Sequence, residues 1–200
     1  MVIWNCIRRL LSYCYKRDLL FVYCCDVAET LKKAPPMLSE LVPHVCDREN
    51  LERMKTIITP FPKLIGERVQ RGDLAFMAVQ DSRWIFRSSV ILGPNEHIVT
   101  GHAIHLGETD AYLECAETIP TWRGKGIAPG MLQITMRTLL ERGYSRAFLT
   151  IAITNTSSSR AIEKGGVQRI GLISACRVLG RWWSSYIPLT NDEQFAKVAG

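Results

Sequence analysis

The segment "RGKGIAPG", residues 123–130, combines two glycines, two cations and the start of a helical pattern. Glycines let a backbone approach a ligand closely, and the first turn of a helix offers unpaired N–H groups at the positive end of the helix dipole. Arg123 and Lys125 add positive charge beside those groups. This combination predicts a phosphate or pyrophosphate site, although a plain strand-to-helix turn would use the same glycines for geometry alone.

Two common phosphate-binding loops do not fit this segment. A P-loop requires G-x-x-x-x-G-K-[ST], whereas Gly126 is followed by Ile127. A dinucleotide fingerprint requires G-x-G-x-x-G and an acidic residue about 20 positions later. Pro129 stands in place of the third glycine, and no carboxylate lies between residues 142 and 162. Pro129 itself suits a first helical turn, where its missing N–H would be unpaired anyway.

The elements that must position this loop follow from hydrophobic periodicity. Residues 110–120 predict a strand that leads into the loop, and apolar residues spaced by three and four predict a helix over 127–142. A nearly continuous apolar run predicts a buried strand over 146–154. A short capped helix over 155–166 and two strands within 167–189 complete the C-terminal part.

The preceding part of the chain predicts a short strand and a helix, then a second helix over 62–73. Residues 74–92 predict a hairpin that turns around Asp81 and Ser82, and residues 97–106 predict a further single strand. Strands and helices alternate only in part, so the pattern predicts an α/β fold whose sheet is partly parallel.

Paired prolines within residues 32–40 interrupt any helix, and we place a boundary there. Residues 1–36 are predicted as an N-terminal helix–strand appendage, and residues 37–200 as the main domain. In the appendage, residues 19–27 predict a strand, and residues 2–14 predict a basic amphipathic helix that packs on the domain or makes weak peripheral contact with a membrane. Charges within the apolar N-terminus argue against an integral membrane segment and against a signal peptide.

Charge and cysteine usage exclude other classes. The net charge of +6 fits an anionic cofactor, a membrane surface or nucleic acid, but the basic residues are spread along the chain, so we expect no nucleic-acid partner. The seven cysteines are odd in number and irregularly spaced, without C-x-x-C. They predict neither a disulfide framework nor a metal site, and they fit reduced thiols in a cytoplasmic protein.

Two motifs together resemble the GNAT (GCN5-related) N-acetyltransferase superfamily over about residues 38–189. Arg123, Gly126 and Ala128 match its R-x-x-G-x-A acyl-CoA motif. A second block of the family reads N-x-x-S-x-x-x-aromatic-x-K-x-G-F. Its matching residues here are Asn155, Ser158, Lys164 and Gly166. Ile162 stands at the aromatic position, and Val167 stands at the final Phe. "RGDLAFMAVQ" and "SACRVLGRWW" also resemble a bacterial subgroup associated with surface polysaccharide genes.

The resemblance implies the GNAT acyl-CoA N-acyltransferase fold. This is a mixed, mainly antiparallel sheet, flanked by helices, in which the strands at 110–120 and 146–154 lie parallel and splay apart. It also implies acetyl-CoA, or another acyl-CoA, as cosubstrate. The implied cofactor-binding residues are Ile119, Arg123, Gly124, Lys125, Gly126, Ile127, Ala128, Asn155, Ser158 and Lys164.

The implied chemistry is direct attack of an amine on the acyl thioester. An N–H near Ile119 would polarise the carbonyl, and Glu117 or Glu114 would act as base. Strand alternation places these glutamates on opposite faces of the sheet, and Glu117 is favoured because it lies closer to the loop. No tyrosine occupies the usual acid position, so Tyr186 or water would supply the proton. His102 and His105 are further candidates for substrate binding.

The function predicted from the sequence is therefore acyl-CoA N-acyltransferase. The acceptor would be a small-molecule amine or a protein amino group, and a homodimer is compatible with the sequence. Because Ile162 replaces the aromatic residue of the second block, a non-catalytic acyl-CoA-binding protein on the same scaffold remains the alternative.

Overall fold

The computed structural model describes residues 15–33 and 42–189. In chain order, the elements are β1 Tyr15–Asp26, α1 Val27–Lys33, β2 Val42–Cys46, α2 Leu51–Ile57, α3 Lys63–Arg71, β3 Leu74–Gln80, β4 Arg83–Leu92, β5 Asn95–Val99, β6 His102–Leu106, β7 Asp110–Thr118, a short 3-10 turn Pro120–Trp122, α4 Ile127–Glu141, β8 Arg146–Ala152, α5 Thr156–Lys164, β9 Gln168–Val178 and β10 Arg181–Pro188.

Eight strands form one sheet in the order β10-β9-β1-β8-β7-β4-β3-β2, and β5 and β6 form a separate hairpin. Within the described residues, β7 and β8 are the only parallel neighbours, and every other pair is antiparallel. The predicted mixed, mainly antiparallel sheet with one parallel strand pair is thus confirmed. The predicted turn at Asp81 and Ser82 is also confirmed, and both residues have positive φ.

The strand from the N-terminal segment lies inside this sheet. β1 pairs with β8 from Leu20 to Asp26 and with β9 from Tyr15 to Cys24. Its side chains Val22, Tyr23 and Cys24 are buried. The segment assigned to an appendage therefore contributes a central strand, and β10 lies at the sheet edge. The boundary near residue 37 and the helix over 2–14 lie outside the described residues and stay predictions.

Two local predictions were wrong. Residues 97–106 are not one strand, because Thr100 and Gly101 both adopt positive φ, 48° and 77°, and turn the chain into the β5–β6 hairpin. Helix α1 was not predicted, because residues up to 27 were assigned to the strand and the break was assigned to 32–40. α1 instead follows β1 directly and packs against α4.

The sheet has apolar side chains on both faces. On one face α4 supplies Met131, Met136 and Leu139 to the main core, which also contains Phe76 and Leu149. On the other face α2 and α3 cover β2, β3 and β4, and the β5–β6 hairpin covers β7, β8, β1 and β9. No helix among the described residues is long and apolar enough to cross a membrane.

Candidate functional site

The two parallel strands remain paired over only four positions. The register runs from Asp110 opposite Arg146 to Leu113 opposite Leu149. Beyond that point β7 continues to pair with β4 and β8 continues to pair with β1, but not with each other. At the closed end, Arg146 donates two hydrogen bonds of 2.7 and 2.8 Å to buried Asp110. The predicted splay is therefore present, and the gap between the separated strands, which leads towards the loop, is called the cleft below.

A bulge in β7 changes which face its glutamates share. Cys115 has a φ of 55°, and β7 contains one residue more than β4 between two register positions. Glu114 lies opposite Ser89 and Glu117 opposite Arg87. Since Arg87 and Ser89 are two residues apart, both glutamates lie on the same face, the one covered by α3. The prediction that they lie on opposite faces was therefore wrong.

Each of these carboxylates is held by an arginine. Arg87 donates two hydrogen bonds to one oxygen of Glu117, at 2.9 and 2.6 Å, and stacks on Trp84 at 4.7 Å. The Glu117 side chain is 43% exposed. Glu114 is only 14% exposed and forms an ion pair with Arg68 of α3. Glu117 is therefore the accessible carboxylate of the cleft, and Glu114 is enclosed.

His97, which was not predicted as a site residue, lies on the same face of the sheet. His97 Nε2 lies 3.5 Å from Glu114 Oε2, and its ring lies 4.6 Å from the ring of Tyr112. The Tyr112 hydroxyl shares a 2.6 Å hydrogen bond with the hydroxyl of Thr150. Burial lowers the pKa of His97, and Arg68 lowers it further. Burial also raises the pKa of Tyr112 to about 12.

The loop after β7 presents free backbone donors. None of the N–H groups of residues 124–128 donates a hydrogen bond to another described residue. Gly124 and Gly126 have φ values of 77° and 75°, and no atom lies within 4 Å of where their Cβ atoms would be. Ile127 is buried and Ala128 is partly buried, so α4 is anchored directly behind these donors.

Both loop cations are oriented by neighbours. Arg123 Nε donates to the Thr118 carbonyl at 3.0 Å. Lys125 Nζ lies 4.3 Å from the centre of the Trp122 ring. Both side chains belong to exposed residues. The loop therefore combines free amides with two positive charges at the open end of the cleft.

The amide expected to polarise the acyl carbonyl is already occupied. Ile119 N–H donates to the Ile85 carbonyl at 3.0 Å, which extends the pairing of β7 with β4. Because backbone groups alternate along an antiparallel pair, the amide of Thr118 points the other way, towards the side of β8. The Ile119 N–H itself is therefore engaged, and the polarising role expected of an N–H near Ile119 stays a prediction, for which the Thr118 N–H is the neighbouring candidate.

Residues of the second block lie at the start and end of α5. Asn155 caps this helix, since its side-chain oxygen accepts from Ser158 N–H at 3.3 Å and from the Ser157 hydroxyl at 3.1 Å. Lys164 is exposed in the last turn. The structure therefore gives Asn155 a capping role, and its role in cofactor binding stays a prediction.

Tyr186 lies away from the cleft. Its hydroxyl donates to the Ile170 carbonyl at 3.1 Å, and its ring covers Gly171. It is on β10, which β9 and β1 separate from β8. Three strand spacings correspond to about 14 Å. Tyr186 was expected to supply the proton, but β1 and β9 lie between its strand and β8.

Comparison with known proteins identifies the fold. No family model matches the sequence, and no curated protein does. A GCN5-related N-acetyltransferase-like protein from Streptococcus suis aligns with 92% of this chain at a TM-score of 0.52 and 13% identity. An acetyltransferase from the GNAT family of Colwellia psychrerythraea aligns with 88% at a TM-score of 0.52 and 15% identity. The chain has the GNAT fold.

A third similar structure is that of a conserved protein of unknown function from Staphylococcus epidermidis. It aligns with 86% of this chain, with a TM-score of 0.52 and 10% identity. The chain spans 67%, 57% and 64% of the length of these three solved proteins, respectively. At such identities the likeness establishes the GNAT fold alone. The narrower resemblance to the surface polysaccharide subgroup stays a prediction.

Proposed function

We propose that this protein is an acyl-CoA N-acyltransferase, with acetyl-CoA as the donor and an amine of a small molecule or protein as the acceptor. One observation carries the proposal. The amides of residues 124–128 are free, and they lie at the open end of a cleft between two parallel strands that separate. An anion-binding helix start joined to such a cleft suits a ligand with a diphosphate at one end and an extended arm.

The residues of the loop fit the diphosphate of CoA. The free N–H groups supply hydrogen bonds, and the space in front of Gly124 and Gly126 is open. Arg123 and Lys125 supply positive charge at the same place. Each of these contacts would be a charge-assisted hydrogen bond or an ion pair, which are stronger than contacts between neutral groups.

The cleft fits the amide-containing pantetheine arm. From Glu114 onwards, the edge of β7 that faces β8 has no strand partner among the described residues. An extended arm can pair with such an edge as an added strand does. We assign the Thr118 N–H, in place of the Ile119 N–H, as a donor to this arm. Asn155 and Ser158, at the start of α5, are proposed as the opposite wall.

The acceptor would enter from the face that carries Glu117. A bound acyl-CoA supplies an activated acyl group as a thioester. Glu117, half-exposed and oriented by Arg87, would attract a cationic amine towards the cleft. Holding the amine and the acyl carbon in contact can account for much of such a rate enhancement.

A non-catalytic acyl-CoA-binding protein remains the second candidate, favoured by a specific observation. Glu117 and Glu114, the two carboxylates predicted to act as base, are both paired with arginines. Tyr186 is bonded to the Ile170 carbonyl at the edge of the sheet. The two predicted bases and the predicted acid are thus all bonded to other described residues.

A ligand titration followed by a turnover assay tests the proposal. Acetyl-CoA should raise the melting temperature in a concentration-dependent manner, since it binds only the folded state. Release of free thiol from acetyl-CoA should then depend on an added amine. No stabilisation at millimolar acetyl-CoA would contradict both candidates. Stabilisation without amine-dependent release across a broad panel of amines would favour the binding protein.

A further inference from the structure

His97 occupies a particular position above the closed end of the cleft. It lies on the β5–β6 hairpin, opposite buried Ile104, so its side chain points towards the sheet. Its ring packs on Tyr112, whose hydroxyl reaches Thr150, the first residue of β8 beyond the run paired with β7. Only the ring of Tyr112 therefore lies between His97 and the point where the two strands begin to separate.

On its other side, the imidazole lies beside a series of paired charged side chains. Arg68 of α3 pairs with Glu114, and Glu114 Oε2 lies 3.5 Å from His97 Nε2. Arg68 also lies 3.7 Å from Asp73. Two groups of charged and titratable residues therefore surround His97. Arg68, with Asp73 behind it, lies on the α3 side, and Glu114 and Tyr112 lie on β7. The His97 side chain remains 20% exposed.

We infer that His97 is the general base of the proposed acyl transfer, oriented by Glu114. This inference rests on the proposed function. Glu114 faces Nε2, which favours the tautomer protonated at Nε2 and leaves Nδ1 as the proton acceptor. As the amine nitrogen bonds to the acyl carbon and the C–S bond breaks, the proton leaves the nitrogen for Nδ1. The thiolate takes a proton from water, and the hydroxide left behind takes the proton from Nδ1. Amine and thioester thus become amide and thiol, and the imidazole is neutral again.

The protonation state of His97 agrees with this role. Burial lowers its pKa below the ordinary value, and the charge of Arg68 acts in the same direction. The imidazole is therefore neutral at pH 7 and can accept a proton. The other two histidines of the hairpin are placed differently. His105 is 54% exposed and pairs with Glu96 on the outer side, and His102 contacts Ser184 of the edge strand β10.

The test compares His97→Gln with Glu96→Gln, a control on the same hairpin whose side chain is 54% exposed on the outer side. Both variants should keep the acetyl-CoA stabilisation of the wild-type protein. With an amine identified by thiol release, His97→Gln should lower kcat/KM at pH 7 by about a hundredfold or more, and Glu96→Gln should stay within about twofold. Glu114→Gln should move the acidic midpoint of the pH profile to lower pH, because a negative charge beside the imidazole is lost. A purely structural glutamate would change only the melting temperature.

A second measurement needs no acceptor. The His97 C2–H resonance, assigned with His97→Gln, should differ between the CoA and acetyl-CoA complexes of the wild-type protein, because only the second places an acyl group beside the ring. Absence of any stabilisation by acetyl-CoA would overturn the proposed function, and His97 with it. Stabilisation combined with an unchanged His97 resonance, or with full activity of His97→Gln, would overturn this inference alone.

Discussion

The hydroxyl oxygens of Tyr112 and Thr150 lie 2.6 Å apart, across β7 and β8, at the end of the run over which the two strands are paired. Tyr112 is 2% exposed, and its hydroxyl has little access to water. The bond therefore marks the point at which the parallel strands separate and the cleft begins. It joins the two walls of the proposed acyl site through side chains, where the backbone no longer does so.

Removing this bond should lower the stability of the fold. Tyr112→Phe and Thr150→Val each delete one partner, and the double variant completes a thermodynamic cycle. We expect a coupling energy of about 0.5–1.5 kcal/mol from urea unfolding, since this is the usual net value of a hydrogen bond in a folded protein. Additive losses in the double variant would show that the two hydroxyls do not stabilise each other.

Gly126→Leu should abolish stabilisation by acetyl-CoA, because a side chain would fill the space in front of the free amides. Gly143→Leu is the matched control. Gly143 lies beyond the other end of α4, has a φ of 86°, and also has open space where a Cβ would be. Each change should cost about 1–2 kcal/mol from the left-handed backbone. Equal ligand shifts in the two variants would mean that the loop is only a turn.

Glu117→Gln should weaken the binding of cationic amines more than it slows their conversion. We expect a higher KM for the amine, a kcat within about threefold of wild type, and unchanged stabilisation by acetyl-CoA. Glu96→Gln, which alters an exposed carboxylate on the outside of the hairpin, is the control. A collapse of kcat at constant KM would instead make Glu117 the base, as the sequence analysis predicted.

Acidification should destabilise the fold partly through two histidines. Burial lowers the pKa of both His44 and His97 below 6.5. Because the unfolded state then binds protons more readily, the stability they contribute is complete above pH 6.5 and is lost as the pH falls through their folded-state values. Urea unfolding at pH 7.5 and 5.0 should show a smaller loss for the His44→Gln/His97→Gln double variant. An identical loss would assign the acid sensitivity to other groups.

A chain that begins at residue 37 should fail to fold cooperatively. It would lack β1, which is paired on both edges and places Val22 and Tyr23 in the core. Loss of this central strand leaves one edge of β8 and one edge of β9 unpaired. Circular dichroism and urea unfolding would report the result. A cooperative transition in the fragment would restore the predicted division into an appendage and an independent domain.

Local features of the fold could be predicted because local residues determine them. The spacing of Met131, Leu132, Thr135 and Leu139 specified the buried face of α4, and all four are buried. The loop glycines before it adopt the positive φ values that the proposed geometry requires. Helical periodicity and turn glycines depend on a few neighbouring residues, so they can be read directly from the sequence.

The errors arose where distant residues or unusual backbone decide the structure. Nothing within residues 19–27 indicates that the strand inserts between β8 and β9, since that pairing depends on residues far along the chain. The bulge at Cys115 lacks the glycine that often marks a bulge, and it reversed the predicted face of one glutamate. His97 was overlooked because the hairpin turn at Thr100 was not predicted. Once the strand is divided there, His97 aligns with Ile104 on the buried side.

The central place of β1 also has a consequence for synthesis of the chain. Its two neighbours, β8 and β9, are translated more than a hundred residues after it. At ribosomal speeds the finished strand must wait about 8–30 s before β9 is complete. During that interval its aromatic and thiol side chains have no sheet to cover them, so a nascent-chain chaperone or a temporary partner would have the most to protect at the beginning of this protein.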